Sequence, residues 1–251
     1  MAITKTGNYL LTKVAEKRNK TVSKEDDAID RSMAIGASVP LGTTSAIVGS
    51  SLPAIPLALK YDKLKGKGLS DEEAAKIIKH LRPDGIKLEH MNDLGSHYDA
   101  ISDTVRSNKN SYILAHELGH ASGLLRNGRL GAFGALITHG IGHPIFASAV
   151  RGAEAANKAY NKAKGIDDGT GTKVLDAAGT GTQIASGLQL AEEAQASLRG
   201  LAAIKKVHGM RGALQAAKVL GPAFGTYLGG AIGAHALAPY IGERLGEYMA
   251  G

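Results

Sequence analysis

From Ser32 to Leu59 the chain carries no charged side chain, and the same holds for Leu130–Val150 and Val219–Ala238. A fourth, weaker run, Val174–Ala191, is interrupted only by Asp176. Runs of this length and character form either the buried helices of a core or helices that enter a lipid bilayer. Pro40, Pro53 and Pro56 in the first run allow a single span or a hairpin that enters and returns. The 33 glycines sit among Ala, Leu, Ile and Val in these runs rather than in a linker. Gly225, Gly229 and Gly233 recur at four-residue spacing, which lets helix backbones approach closely in lipid and leaves a face for self-association into a homo-oligomer. The expected fold is therefore mainly α, with Gly/Ala-rich apolar helices inserted in a membrane as hairpins. A mean hydropathy of −0.08, in runs poor in Leu and Phe, makes each insertion weak on its own.

The polar segments divide the chain further. Residues 1–31 are polar and mixed in charge, and no apolar stretch follows the first lysines closely enough for a secretory signal. Residues 32–59 form the apolar hairpin or span, residues 60–211 one central domain that includes the runs 130–150 and 174–191, and residues 212–251 a glycine-zipper C-terminal segment. Ser70 and Glu73 have the spacing of a capping box, which predicts a helix running to Leu81 and stopping before Pro83. Tyr112 begins another helix after the polar turn at Asn108–Ser111, and Gln189–Val207 reads as a third.

With no cysteine in the chain, disulfides, thiolate metal ligands and a cysteine nucleophile are excluded, and any metal site must use His, Asp or Glu. The net charge is +7, but its lysines are spread through every polar segment with acids between them. No RNA-binding signature, zinc finger or recognition-helix pattern accompanies it. A lipid membrane is thus the expected partner, and nucleic acid is not.

Residues 116–120 read His-Glu-Leu-Gly-His inside an apolar helical segment. On a helix, His116 and His120 lie one turn apart on one face and can share one Zn2+ ion. Glu117 then points toward the open coordination position, where it can act as general base toward a zinc-activated water. The chemistry this pattern points to is hydrolysis of a protein or peptide substrate. Gly119 costs about 1 kcal/mol of helix propensity against Ala, as expected if no side chain fits beneath the metal helix. Metzincins place a third His where this chain has Arg126, so that subclass is excluded. The remaining common solution is a glutamate from a later helix. Asp103 precedes the motif, whereas Glu192 and Glu193 follow it on an apolar helix, Leu190-Ala191-Glu192-Glu193-Ala194-Gln195-Ala196-Ser197. His139 and His143 form a second pair at helical spacing with a minor claim to a metal role.

Here the chain resembles the membrane-embedded gluzincin-type zinc metallopeptidases of bacteria, in particular their neutral zinc metallopeptidase family. That family pairs a His-Glu-x-Gly-His-Ala helix with a later Glu-x-x-Ala-Ser-x-Arg-x-Leu segment. His116 to Ala121 reproduce the first, and Glu193, Ala196, Ser197, Arg199 and Leu201 the second. The resemblance implies a helical zincin-like core, Glu193 as third zinc ligand, and Ala196 and Ser197 packing the metal-bearing helices together. The related heat-shock-type membrane proteases carry Glu-x-x-Ala-Asp, from which Ser197 departs. Tyr112, His208 and Arg199 are candidates for polarising the substrate.

A metal shared by His116, His120 and Glu193 restricts topology, because all three must reach the same side of a membrane. If residues 130–150 span, a second span must return the chain, and residues 174–191 supply it. The two would form an apolar hairpin between the halves of the site, as in the resembled family, within a bacterial inner membrane. A second reading is a membrane-inserting structural or virion protein of a bacterial virus that retains a peptidase-like zinc fold. A third is a soluble helical zinc protein without peptidase activity.

Overall fold

The computed structural model describes residues 24–64, 69–81, 85–91, 96–123 and 128–251. Most of the polar N-terminal segment, Pro83 and Arg126 lie outside the described residues. The expected mainly helical architecture is what it shows. Helix α1 (Lys24–Leu64) runs unbroken through Pro40, Pro53 and Pro56, so the first apolar run is one helix and not a hairpin. Helix α2 (Asp71–Leu81) begins at the predicted capping box. Ser70 N donates to Glu73 Oε2 at 2.9 Å, and Glu73 N donates to Ser70 Oγ at 3.2 Å.

Three short strands follow, β1 (Lys87–His90), β2 (His97–Asp99) and β3 (Thr104–Ser107), none of which the sequence pattern foretells. The sheet order is β1-β3-β2, with β1 parallel and β2 antiparallel to β3. Leu88, Val105 and Tyr98 stand in register across it. They join Ile77, Ile86, Leu114, Leu118, Ile204 and Val219 in one apolar cluster, which seats α2, helix α3 (Tyr112–Ala121) and the middle of α6 (Thr170–Ile232) on the sheet. Burial of a Leu or Ile side chain in such a cluster stabilises by about 1.5–3 kcal/mol, so this cluster anchors the site described below.

Helix α4 (Gly128–Ala135) passes into a π-helical turn, Leu136–Ile141. The chain then bends by 59° into helix α5 (Pro144–Lys164). Residues 130–150 therefore do not form the straight apolar arm expected from their composition. Pro144 starts a new helix, Gly142 packs against the backbone of Ala185, and Ser186 Oγ donates to Gly142 O at 2.9 Å. The hairpin that returns the chain is built from α5 and the first half of α6, turning at Gly165 in the left-handed conformation. Polar contacts join its arms: Asn157 and Asn161 donate to Thr172, and Lys158 pairs with Asp176 at 2.8 Å.

Helix α6 is broken at Gly209, where φ 70° and ψ −174° are accessible essentially to glycine alone. Residues on either side of the break meet as in a hairpin. Ile204 and Val219 share the apolar cluster, and Ala185 and Gly230 both pack against the Gly142–Pro144 bend. A second π-helical turn, Gly233–Leu237, leads into helix α7 (Ala238–Ala250). Helix α1, α5, α7 and the second half of α6 form a bundle in contact through glycine. Gly49 meets Gly229, Gly233 meets Ser45, Gly42 meets Ser148, and Gly242 meets Gly152. The glycine spacing in the C-terminal run thus serves packing within the chain. Ala28–Ser51 is long and apolar enough to cross a membrane, and the bent pair Phe133–Ile141 with Pro144–Lys164 passes the same test only if taken as one broken span.

Candidate metal centre

Helix α3 carries the His-Glu-Leu-Gly-His segment. Ser111 caps it, accepting from Ile113 N at 3.1 Å, and its apolar residues Leu114, Ala115 and Leu118 are buried in the apolar cluster. That leaves His116 and His120 on the opposite side, facing α6. The two helices touch through their backbones. A Cβ added at Gly119 would overlap the Ala196 carbonyl and lie 3.0 Å from Ala196 Cα. One added at Gly200 would lie 2.9 Å from the Ala115 carbonyl. Glycine at 119 and at 200 therefore allows α3 and α6 to approach this closely.

At this contact His116, His120 and Glu193 come together. The Nε2 atoms of His116 and His120 are 3.0 Å apart, and Glu193 Oε2 lies 3.3 Å from the first and 3.5 Å from the second. Tetrahedral zinc at 2.0–2.1 Å from its ligands separates them by about 3.3 Å, so this triangle has the dimensions of one face of a zinc site. Glu193 is 1% exposed, and the neighbours of its Oε2 are the two imidazole Nε2 atoms. Three acceptor-bearing atoms so placed fit a cation between them.

The outer nitrogens of the two rings are held as well. His120 Nδ1 hydrogen-bonds Glu192 Oε1, and His116 Nδ1 lies 3.1 Å from Ser197 Oγ. Such partners fix ring orientation and direct each Nε2 inward. Of the two adjacent glutamates, Glu193 thus faces the two Nε2 atoms, and Glu192 holds His120 Nδ1.

Electrostatics follow from burial and proximity. Burial opposes a charge on His120, but hydrogen bonds and charge from Glu192 and Glu193 outweigh it and push its pKa up to about 10. Burial likewise opposes a charge on Glu193, yet the hydrogen bonds and charge of His116 and His120 bring it down to about 2. Glu117 is 6% exposed, and burial raises its carboxyl above the ordinary range against the pull of His116 and His120.

A cavity of about 510 Å³ opens beside this cluster, lined by Glu117, His120 and Glu193, by β2 and its flanks from Ser96 to Ile101, by His139, and by Tyr227. Nothing in the sequence pattern singles out Tyr227 as part of the site. Tyr227 follows Gly209 by 18 residues, and Glu193 precedes Gly209 by 16, so the reversal at Gly209 sets the two opposite each other. A tyrosine in a glycine-rich apolar run was the only available signal, since its hydroxyl must find a polar partner.

The residues that the sequence offers for polarising a substrate lie elsewhere. Tyr112 OH donates to Gln215 at 3.1 Å, and His208 pairs with Glu73 at 2.9 Å, both away from the cavity lining. Arg199 donates to Gly119 O at 3.2 Å and so ties α6 to α3. Asp103 accepts from Tyr98 OH, and His143 caps α5 by accepting from Ile145 N. Compared with protein-family models, with curated proteins and with solved structures, the chain matches none.

Proposed function

We propose that the chain is a membrane-associated zinc endopeptidase of gluzincin type. The observation that carries this reading is the triangle of His116, His120 and Glu193, whose facing atoms have zinc-site spacing and whose carboxylate is buried. The seating of α3 between a three-stranded sheet and a glutamate-bearing helix supports a zincin-like core. Zinc held at these residues would make a bound water nucleophilic near neutral pH and polarise the scissile carbonyl.

The chain's own groups supply the rest. Glu117 borders the cavity beside His120, with a carboxyl raised by burial, which suits a base that must take a proton near neutral pH and return it to the departing amine. Glu192 and Ser197 keep the two imidazoles turned inward. The antiparallel edge strand β2 forms one wall of the cavity, so an extended peptide can lie along it. Helix α1 supports attachment to a membrane through Ala28–Ser51.

Purified full-length chain should contain one tightly held zinc and cleave casein or itself. Glu117→Gln should keep that zinc and lose about 10²–10⁴-fold in activity. Glu193→Ala should lose the zinc. Stoichiometric zinc retained in Glu193→Ala, or unchanged cleavage by Glu117→Gln, would reject the proposal.

A further inference from the structure

The cavity holds more ligating groups than one cation uses. His139, Glu192 and Glu193 offer ligand atoms that all lie within 4.8 Å of one another, and His139 and Glu193 line the cavity. We infer that these three residues form a second divalent-cation site, sharing Glu193 with the first, so that the centre binds a pair of ions. The inference deepens the proposed zinc reading and rests on it.

Three observations support it independently. Glu192 uses Oε1 on His120, while its Oε2 is buried with no hydrogen-bond partner. A buried anionic oxygen without a partner is costly unless a cation reaches it. Charge balance points the same way. Glu117, Glu192 and Glu193 put three carboxyl groups around the centre, and among the described residues lining the cavity there is no Lys or Arg. One divalent ion leaves that set under-neutralised when all three are ionised. Finally, His139 sits in the π-helical turn Leu136–Ile141, an irregularity that commonly marks a functional position. Its side chain is exposed on the cavity wall and can turn toward the carboxylates.

One imidazole nitrogen and two carboxylate oxygens suit Zn2+, Mn2+ or Co2+. Carboxylate-bridged pairs in hydrolytic sites stand about 3.5–4 Å apart. A second ion would add an open position for a peptide carbonyl or a water next to the first.

Metal counting tests this directly. Full-length chain stripped with chelator is dialysed against rising free Zn2+, and bound zinc is measured by atomic emission. Wild type should saturate at two ions per chain, His139→Ala at one, with the tight ion unchanged. In parallel, Mn2+-loaded wild type should show the electron paramagnetic resonance of a coupled pair, and His139→Ala that of an isolated ion. His139 is exposed, so the variant should keep the wild-type circular dichroism spectrum. One ion bound by both chains, or two by both, overturns the second site and leaves the first standing. No zinc bound by wild type overturns both.

Discussion

At the scale of single residues, the centre is an electrostatic balance among His120, Glu192 and Glu193. Without metal, His120 carries a proton that its two carboxylate neighbours stabilise, and burial alone would oppose it. Its pKa rises from 6.5 unfolded to about 10 folded, so this contribution to stability is complete below about 6.5 and lost as pH climbs through 10. Glu193 runs the other way. Its pKa falls from 4.5 to about 2, so its contribution is present above 4.5 and lost as pH drops through 2. Thermal melting of chelator-treated protein should thus peak between about pH 4.5 and 6.5 and decline toward 10, and the alkaline decline should vanish in His120→Asn. A metal at Nε2 must displace the His120 proton, so zinc affinity should climb about tenfold per pH unit between 7 and 9. A flat zinc affinity over that range would contradict the assignment. His116 and His120 were legible in the sequence because helical spacing alone sets them on one face, with Glu117 next to the first. Glu193 needed the second motif, and its distinction from Glu192 needed the rotation of α6.

At the scale of elements, two glycines decide whether the centre forms. Gly119 lies against Ala196, with no space for a methyl group. Gly119→Ala should gain helix propensity yet destabilise the chain by about 1–3 kcal/mol, because the obstacle is backbone and cannot turn aside. Chemical denaturation would show the loss, and zinc affinity should fall with it as α3 and α6 separate. A stabilised Gly119→Ala would show that the helices are not in backbone contact. Gly209 acts by conformation instead. Its φ of 70° with ψ near 180° is closed to alanine, so Gly209→Ala should cost about 1–3 kcal/mol and displace Tyr227 from the cavity. Tyrosine fluorescence quenching on metal binding would report that displacement. The capping box of α2 was readable locally. The three strands were not, because segments of three or four residues carry too short an alternation to stand out.

At the scale of the whole molecule, apolar side chains remain on the outside. Ile29, Met33, Val39, Leu41, Ile47 and Val48 on α1 are exposed, as are Ile184, Leu188, Leu228 and Ile232 on α6. Exposed apolar surface of this kind marks a contact with another protein or with a membrane, and the proposed reading takes it as lipid-facing. Full-length protein should float with anionic liposomes in a sucrose gradient at both low and high salt, since apolar contact is not screened. Val39→Lys with Ile47→Lys should shift it to the soluble fraction without lowering zinc content. Release by salt alone would point instead to attraction between the +7 chain and the anionic surface.

What the sequence by itself determined about this protein is local and periodic. The mainly helical character, the face shared by His116 and His120, and the cap of α2 each depend on residues within one or two turns. The arrangement of the hairpin was decided in three dimensions. Composition marked residues 130–150 as one arm, but Pro144 and the contact of Gly142 with Ala185 split that run and made α5 the arm. The approach of Glu193 to the two histidines, and of Tyr227 and His139 to the cavity, rests on backbone contacts and on the Gly209 reversal. These join residues dozens of positions apart, and only the packing of one helix on another brings them together.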